Sequence, residues 1–174
     1  MPPYSPRPGD EDLPYDYRGL DNLPPPIRVL IASGAEPVRN TLTRTLHAIP
    51  TRMALVGSAA SAQEAVRAAR RLRPDVVVVD VSIARLDVGL LTLVPSLCEA
   101  GRCRVVLLAS RSDQAGIPAA MQAGAAAVAW KAESPVALIG AINTAVFGHP
   151  RVVRPLGEPA PAARRGPGRA RSLD

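Results

Sequence analysis

Pro74-Asp75-Val76-Val77-Val78-Val79-Asp80 is a short β-branched run, entered through a proline and closed by a carboxylate. Four consecutive valines are stiff at χ1, poor in a helix and well suited to a pleated surface, so the run reads as a strand. It lacks the polar alternation of a half-exposed strand, which places it in a sheet covered on both faces. Asp80 then stands at the carboxyl end of that strand, where open α/β sheets bind their ligands. Two readings stand for Asp80: a site carboxylate, or an aspartate that only caps the loop after the strand.

Working outward, strands and helices alternate on both sides of this run. Upstream, Ile27 to Ala32 (IRVLIA) is an apolar strand, and Val38 to Ile49 carries Leu42, Leu46 and Ile49 at helical spacing. Met53 to Gly57 is a second strand. Ser61 to Leu72 is a helix, with Ser61 and Glu64 placed as a capping box. Downstream, Val88 to Cys98 is a weaker helix disturbed by Pro95. Arg104 to Ala109 (RVVLLA) is the fourth strand, and Asp113 to Ala123 a helix stopped at Gly124. Ala126 to Trp130 is the fifth strand. Ser134 and Pro135 open a last helix running to Phe147, stopped at Gly148. Five βα units predict an α/β fold: a doubly wound five-stranded parallel sheet of flavodoxin-like order 2-1-3-4-5.

The flanks differ from this core. Residues 1–26 hold eight prolines, all three tyrosines and a net charge of −3, and residues 149–174 are rich in Arg, Pro, Ala and Gly with a net charge of +4. Neither composition supports a packed core, so the expected organisation is a disordered acidic leader (1–26), one folded domain (27–148) and a disordered basic tail (149–174). At 47% hydrophobic residues the chain has enough apolar material for that domain, with no uncharged apolar run long enough for a transmembrane helix. The leader has no basic-then-apolar signal pattern, and the default location is the cytoplasm. Cys98 and Cys103 read as reduced thiols, with a disulfide between them as the alternative. The basic tail invites a nucleic acid or an acidic partner, against the plainer reading of a solvated tail.

Twenty of the 21 basic residues are arginine, and the only lysine is Lys131, just after the fifth strand. A compact ammonium there serves a different purpose from a planar guanidinium fork. The predicted topology brings the carboxyl ends of strands 1, 3, 4 and 5 to one crevice. Asp80 and Lys131 would face each other across it, with Ala109 and Ser110 between. Asp87 reads as a helix cap, Asp75 as lying at the opposite end of its strand, and His47 and His149 as lone histidines. There is no glycine-rich phosphate loop with Lys-Ser/Thr, no G-x-S-x-G and no paired-cysteine motif, so no free-standing enzyme is expected.

IRVLIA, ARRLRPDVVVVD (69–80), LDVGL (86–90) and AGAAAVAWKAESPVALIGAI (123–142) together resemble a response-regulator receiver domain, in the branch usually joined to a helix-turn-helix output domain. The resemblance covers about residues 27–150. It implies that Asp80 matches the aspartate that takes a phosphoryl group from a histidine kinase, and Lys131 the lysine that contacts phosphoryl oxygens. It also implies an acid pair that helps hold Mg²⁺, but those positions read Ser33 and Gly34, with Glu36 two positions late. The hydroxyl position falls on Ala109 by gapless count and on Ser110 if the following loop is one residue shorter. Met-Pro after the phosphoacceptor is replaced by Ile83-Ala84. The aromatic switch position reads Val128, with Trp130 before the lysine.

Mg²⁺ wants several oxygen ligands in near-ideal octahedral geometry, and Asp80 is the one carboxylate securely placed. The expectation is therefore an atypical, stand-alone receiver domain in intracellular signal transduction, with an Asp80–Lys131 ion pair in place of metal and weak or absent phosphorylation. No cofactor is expected. It would act through a protein partner or a homodimer, on the face of the fourth helix, fifth strand and fifth helix, including Trp130, Ala137 and Ile139 to Ile142. Two alternatives stay open: a working phosphoacceptor at Asp80, and a regulator touching nucleic acid through its tail, though 24 residues with four prolines cannot fold a helix-turn-helix domain.

Overall fold

The computed structural model of the chain describes residues 8, 25–48, 53–86, 89–148 and 151–152. In chain order they form β1 (Ile27–Ala32), α1 (Glu36–His47), β2 (Met53–Ala59), α2 (Ala62–Leu72), β3 (Val76–Asp80), α3 (Val81–Leu86), α4 (Leu90–Gly101), β4 (Arg104–Ala109), a 3-10 turn (Arg111–Gly116), α5 (Ile117–Gln122), β5 (Ala127–Trp130), α6 (Pro135–Phe147) and β6 (Arg151–Val152). All strand pairs are parallel, in the order β2-β1-β3-β4-β5-β6. The predicted 2-1-3-4-5 order holds, with one short strand added beyond β5.

The valines of β3 explain why the sheet has two covered faces. Val77 and Val79 point into one core with Leu30, Ala32, Val105 and Leu107, beneath α2, α4 and α5. Val76 and Val78 point into the other with Val29, Ile31, Val106 and Leu108, beneath α1 and α6. All four valines are at most 1% exposed, so each contributes roughly 1.5 kcal/mol of transfer free energy to a two-sided core. The period of two along the strand assigns the faces.

Local signals place most of the helices. Ser61 accepts from the Glu64 N–H at 3.2 Å, and the Glu64 carboxylate accepts from the Ala60 N–H at 2.8 Å. Gly124 has φ +112, a conformation open to glycine, where the chain turns from α5 toward β5. Pro95 stands inside α4. Its missing N–H removes one helical bond without ending the helix.

Two expectations about the helices need correction. The stretch after β4 opens as a 3-10 turn, and only Ile117–Gln122 is α-helical. Ser110 and Asp113 close a capping box there, which starts the turn earlier than the apolar spacing indicated. α3, which follows Asp80 without a gap, was not anticipated. Its six residues are too few to show a helical period. Arg151–Val152, within the stretch expected to be disordered, pair with β5. The buried Arg28 guanidinium donates to the Pro8 and Leu72 carbonyls. Apart from Pro25 and Pro26, the remaining leader and tail residues, with Ile49, Asp87 and His149, lie outside the described residues. Cys98 and Cys103 are free thiols, and burial pushes Cys103 up to about 12, so neither favours thiolate chemistry. Among the described residues no helix is long and apolar enough to cross a membrane.

Candidate functional site

The carboxyl ends of β1, β3 and β5 meet at Asp80. Asp80 ends β3 and is 0% exposed. Lys131 follows β5, its N–H donating to the Ala109 carbonyl at 2.8 Å, which fixes its backbone against the end of β4. Its Nζ lies 2.7 Å from Asp80 Oδ1, with the lysine side chain 29% exposed. The ammonium thus reaches inward from the rim of the crevice to a carboxylate that water does not touch.

The capping reading of Asp80 is met by one backbone bond. The Ser82 N–H donates to Oδ1 at 3.0 Å, so the carboxylate caps α3. The remaining oxygen is taken from the β1 side, where Ser33 Oγ donates to Oδ2 at 2.9 Å. Ser33 is itself fully buried and held at three points. Its N–H donates to the Ala59 carbonyl at 3.0 Å, its Oγ accepts from the Ala35 N–H at 3.2 Å, and its carbonyl accepts from Arg39 Nη1 at 2.7 Å. Burial pushes the Asp80 carboxyl up. Hydrogen bonds from Lys131, from Ser82 and from Ser33 outweigh that push and hold it below the ordinary aspartate value.

A shift in that direction has a sign. The folded value lies below the unfolded value of about 3.9, so Asp80 stabilises the fold at neutral pH, and that contribution is lost as pH falls below about 4. Asp80→Asn is therefore expected to be less stable than the parent at pH 7 and pH 5, with the gap closing toward pH 3. Urea unfolding at the three pH values measures it, and a gap that stayed constant down to pH 3 would contradict the assignment.

The other candidates are placed as follows. Ala109 is the buried last residue of β4. Ser110, the alternative hydroxyl, spends its groups on the cap of the 3-10 turn, its N–H donating to Asp113 Oδ2 at 2.7 Å. The hydroxyl on Asp80 thus comes from Ser33 and not from the end of β4. Sequence reasoning treated Ser33 only as a missing acid, and a single serine at the end of a strand carries no signal of its own. Gly34 and Glu36 are exposed, Glu36 opening α1. Asp75 lies at the opposite end of the sheet, its Oδ2 accepting from the Arg28 N–H at 2.8 Å. His47 is exposed on the last turn of α1.

Mg²⁺ does not fit the donors present. Asp80 supplies the one carboxylate in the hydrogen-bonded cluster, and Lys131, Ser82 and Ser33 already engage its two oxygens. Among the described residues no group of three His, Cys, Asp or Glu side chains could hold a metal ion. A groove of about 430 Å³ between α2 and α4, lined by Val66, Arg67, Arg70 and Leu93 among others, contains none of these site residues.

Residues 29–143 match the family model of the response regulator receiver domain. The chain belongs to that family. This receiver is 31% identical over 113 residues to the uncharacterized transcriptional regulatory protein YhcZ of Bacillus subtilis (strain 168), covering 65% of this chain and 52% of that one. It is 36% identical over 112 residues to protein-glutamate methylesterase/protein-glutamine glutaminase 4 of Myxococcus xanthus (strain DK1622), covering 63% of this chain and 31% of that one. The chain thus spans about half or less of these relatives' lengths, and its relation to the methylesterase runs through receiver similarity. Among solved structures, a LuxR-family two-component response regulator from Aurantimonas sp. SI85-9A1 superposes with a TM-score of 0.65 at 25% identity, over 75% of this chain and 91% of that one. A receiver domain in two-component signalling is what these likenesses establish, and the family is one of signalling, not enzymatic, domains.

Of the residues expected on the partner face, Ala137 and Ile139 are half-buried and Gly140 is exposed, and the others are buried. Trp130 is 6% exposed and Ala141 and Ile142 are fully buried. β5 is covered by helices on both sides, and those α6 residues pack down onto the sheet. The exposed apolar side chains of α6 are instead Val136 at 71% and Phe147 at 78%, at its two ends.

Proposed function

We propose that this receiver works by protein–protein interaction, with weak or no Mg²⁺-dependent phosphorylation, its Asp80 held in one charge state by Lys131 and Ser33. The observation that carries this reading is the engagement of both carboxylate oxygens by the chain itself: Lys131 at 2.7 Å, Ser82 at 3.0 Å and Ser33 at 2.9 Å. A phosphoryl group arriving at Asp80 needs a free oxygen for attack and a divalent cation to neutralise its charge. Here a serine hydroxyl stands where a carboxylate would bring that cation. The α5–β5–α6 side, with Val136 and Phe147 exposed, is the proposed partner face.

One observation favours the alternative, a working phosphoacceptor. Asp80 is held below its ordinary value and so stays ionised, the form that attacks phosphorus. Intact mass after incubation with Mg²⁺ and a small-molecule phosphodonor, beside an Asp80→Ala control, separates the two. No adduct on folded parent is the expected result. A phosphoryl adduct on the parent that the control lacks would overturn the proposal and direct the search to a histidine kinase.

A further inference from the structure

The end of the sheet opposite Asp80 is crowded with arginine. The amino ends of β1, β3 and β4 align there through Val29, Val76 and Arg104. α2 and α4 finish at the same end and approach closely, since a Cβ on Gly101 would lie 3.2 Å from the Ala69 carbonyl oxygen. Just past that contact stand Arg70, Arg71 and Arg73 at the end of α2 and Arg102 at the end of α4. With Arg104 these make five exposed guanidinium groups. Two carboxylates share the region: half-buried Asp75, which accepts from the Arg28 N–H, and exposed Glu99 on α4.

Two of the arginines hold strained positions. Arg73 and Arg102 are the C-caps of α2 and α4, with φ of 45° and 51°. Among the described residues no other residue but a glycine has positive φ. Glycine is the usual occupant of such a left-handed cap, because a Cβ costs energy there. The negative end of a helix dipole favours a cation. In α2, however, Arg70 and Arg71 already supply it, so the dipole does not explain the strain at Arg73.

The chain brings an acidic run to this end. Arg28 Nη2 donates to the Pro8 carbonyl at 2.5 Å and to the carbonyl of Leu72, the last residue of α2, at 2.8 Å. Pro25 and Pro26 lead into β1 from the same end. Residues 9–24 connect these two points and hold five carboxylates against the single guanidinium of Arg18. At 3.3–3.6 Å per residue at most, residues 10 to 12 reach roughly 7 to 14 Å from position 8, and packed helix axes are about 8–10 Å apart. Asp10-Glu11-Asp12 can thus reach the ends of both helices. Attachment at both sides presents the run at high effective concentration.

We infer that the arginine-bearing ends of α2 and α4 are a docking site for an acidic peptide segment, and that its occupant is Asp10-Glu11-Asp12 of this chain. The site lies at the opposite end of the sheet from Asp80 and does not depend on the reading of that residue.

Two-dimensional amide NMR of the full chain and of its Asp10→Asn/Glu11→Gln/Asp12→Asn variant tests the occupant. The Arg71, Arg73 and Arg102 amide signals are expected to differ between the two at about 20 mM salt and to coincide near about 0.5 M, where charges are screened within roughly 5 Å. The Ala32 and Lys131 signals are expected to stay in place. A synthetic peptide of residues 8–18 added to the variant is expected to move the three arginine signals back toward the parent in a saturable way. Adding Arg73→Gly/Arg102→Gly to the variant tests the site. Glycine suits both caps, so the domain is expected to melt no lower, while the peptide binds roughly fivefold more weakly, as for the loss of two exposed ion pairs. Identical arginine signals in parent and variant would overturn the occupant. A difference that fades on dilution would assign the acidic run of a second copy and overturn the same point. Peptide affinity unchanged by the two glycines would place the acidic run elsewhere, as on the basic tail, and overturn the site.

Discussion

Lys131→Ala is expected to lower the unfolding free energy by about 3 kcal/mol at pH 7, the low end of the range for breaking a buried ion pair. The low end applies because the lysine side chain keeps 29% of its exposure while Asp80 has none. The variant leaves a buried carboxylate with two hydrogen-bond donors and no counter-charge. It must either stay ionised at that cost or take up a proton. Asp80→Asn/Lys131→Met, which removes both charges together, is expected to be more stable than Lys131→Ala alone, because the residue left behind no longer carries an unpaired charge. Urea unfolding of the parent, the single variants and the pair gives the coupling directly. A Lys131→Ala variant within about 0.5 kcal/mol of the parent, the ordinary range for surface changes, would show that the ion pair does not hold the site.

Ser33→Asp/Gly34→Asp is expected to exchange a metal-independent site for a metal-dependent one. The Ser33 hydroxyl sits 2.9 Å from Asp80 Oδ2 in full burial. An aspartate there sets a second carboxylate against the first, and like charges at that range disfavour the ionised pair. Gly34 is exposed and its φ is not positive, so an aspartate meets no backbone penalty at 34. Without divalent metal the double variant is expected to melt about 10 °C below the parent, which corresponds to roughly 2–3 kcal/mol in a domain of this size. Millimolar Mg²⁺ is expected to recover much of that loss, since ligand at about 100 times its dissociation constant returns about 2.7 kcal/mol. The parent is expected to show no Mg²⁺-dependent shift. Thermal unfolding across a Mg²⁺ titration reads both, and an equal upward shift in parent and variant would show that Ser33 is not what keeps the metal out.

Much of this molecule is legible along the chain because its signals are local. Four valines, a capping box at Ser61 and Glu64, a proline at the head of α6 and a glycine after α5 each state their element within a few residues, and parallel order follows from strict βα alternation. α3 left no trace because six residues complete too few turns to show a period. β6 was hidden by the prolines and arginines of the stretch around it. The composition of residues 149–174 describes a tail, while a two-residue pairing depends on an open edge that only the assembled sheet offers.

The site divides along the same line. Asp80 and the single lysine at position 131 announced themselves through residue type and position at strand ends. What neither could announce is the partner of the second carboxylate oxygen. Ser33 is 47 residues upstream of Asp80 and meets it only because β1 lies beside β3 in the sheet, so a position read as the absence of an acid becomes a hydrogen bond. Trp130 shows the reverse: beside Lys131 it reads as a surface aromatic, yet burial depends on what covers a strand, and helices cover β5 on both faces. Residue identity and spacing decided the fold and the two charges of the site. Which oxygen each donor occupies was decided by distances between strands that are neighbours only after folding.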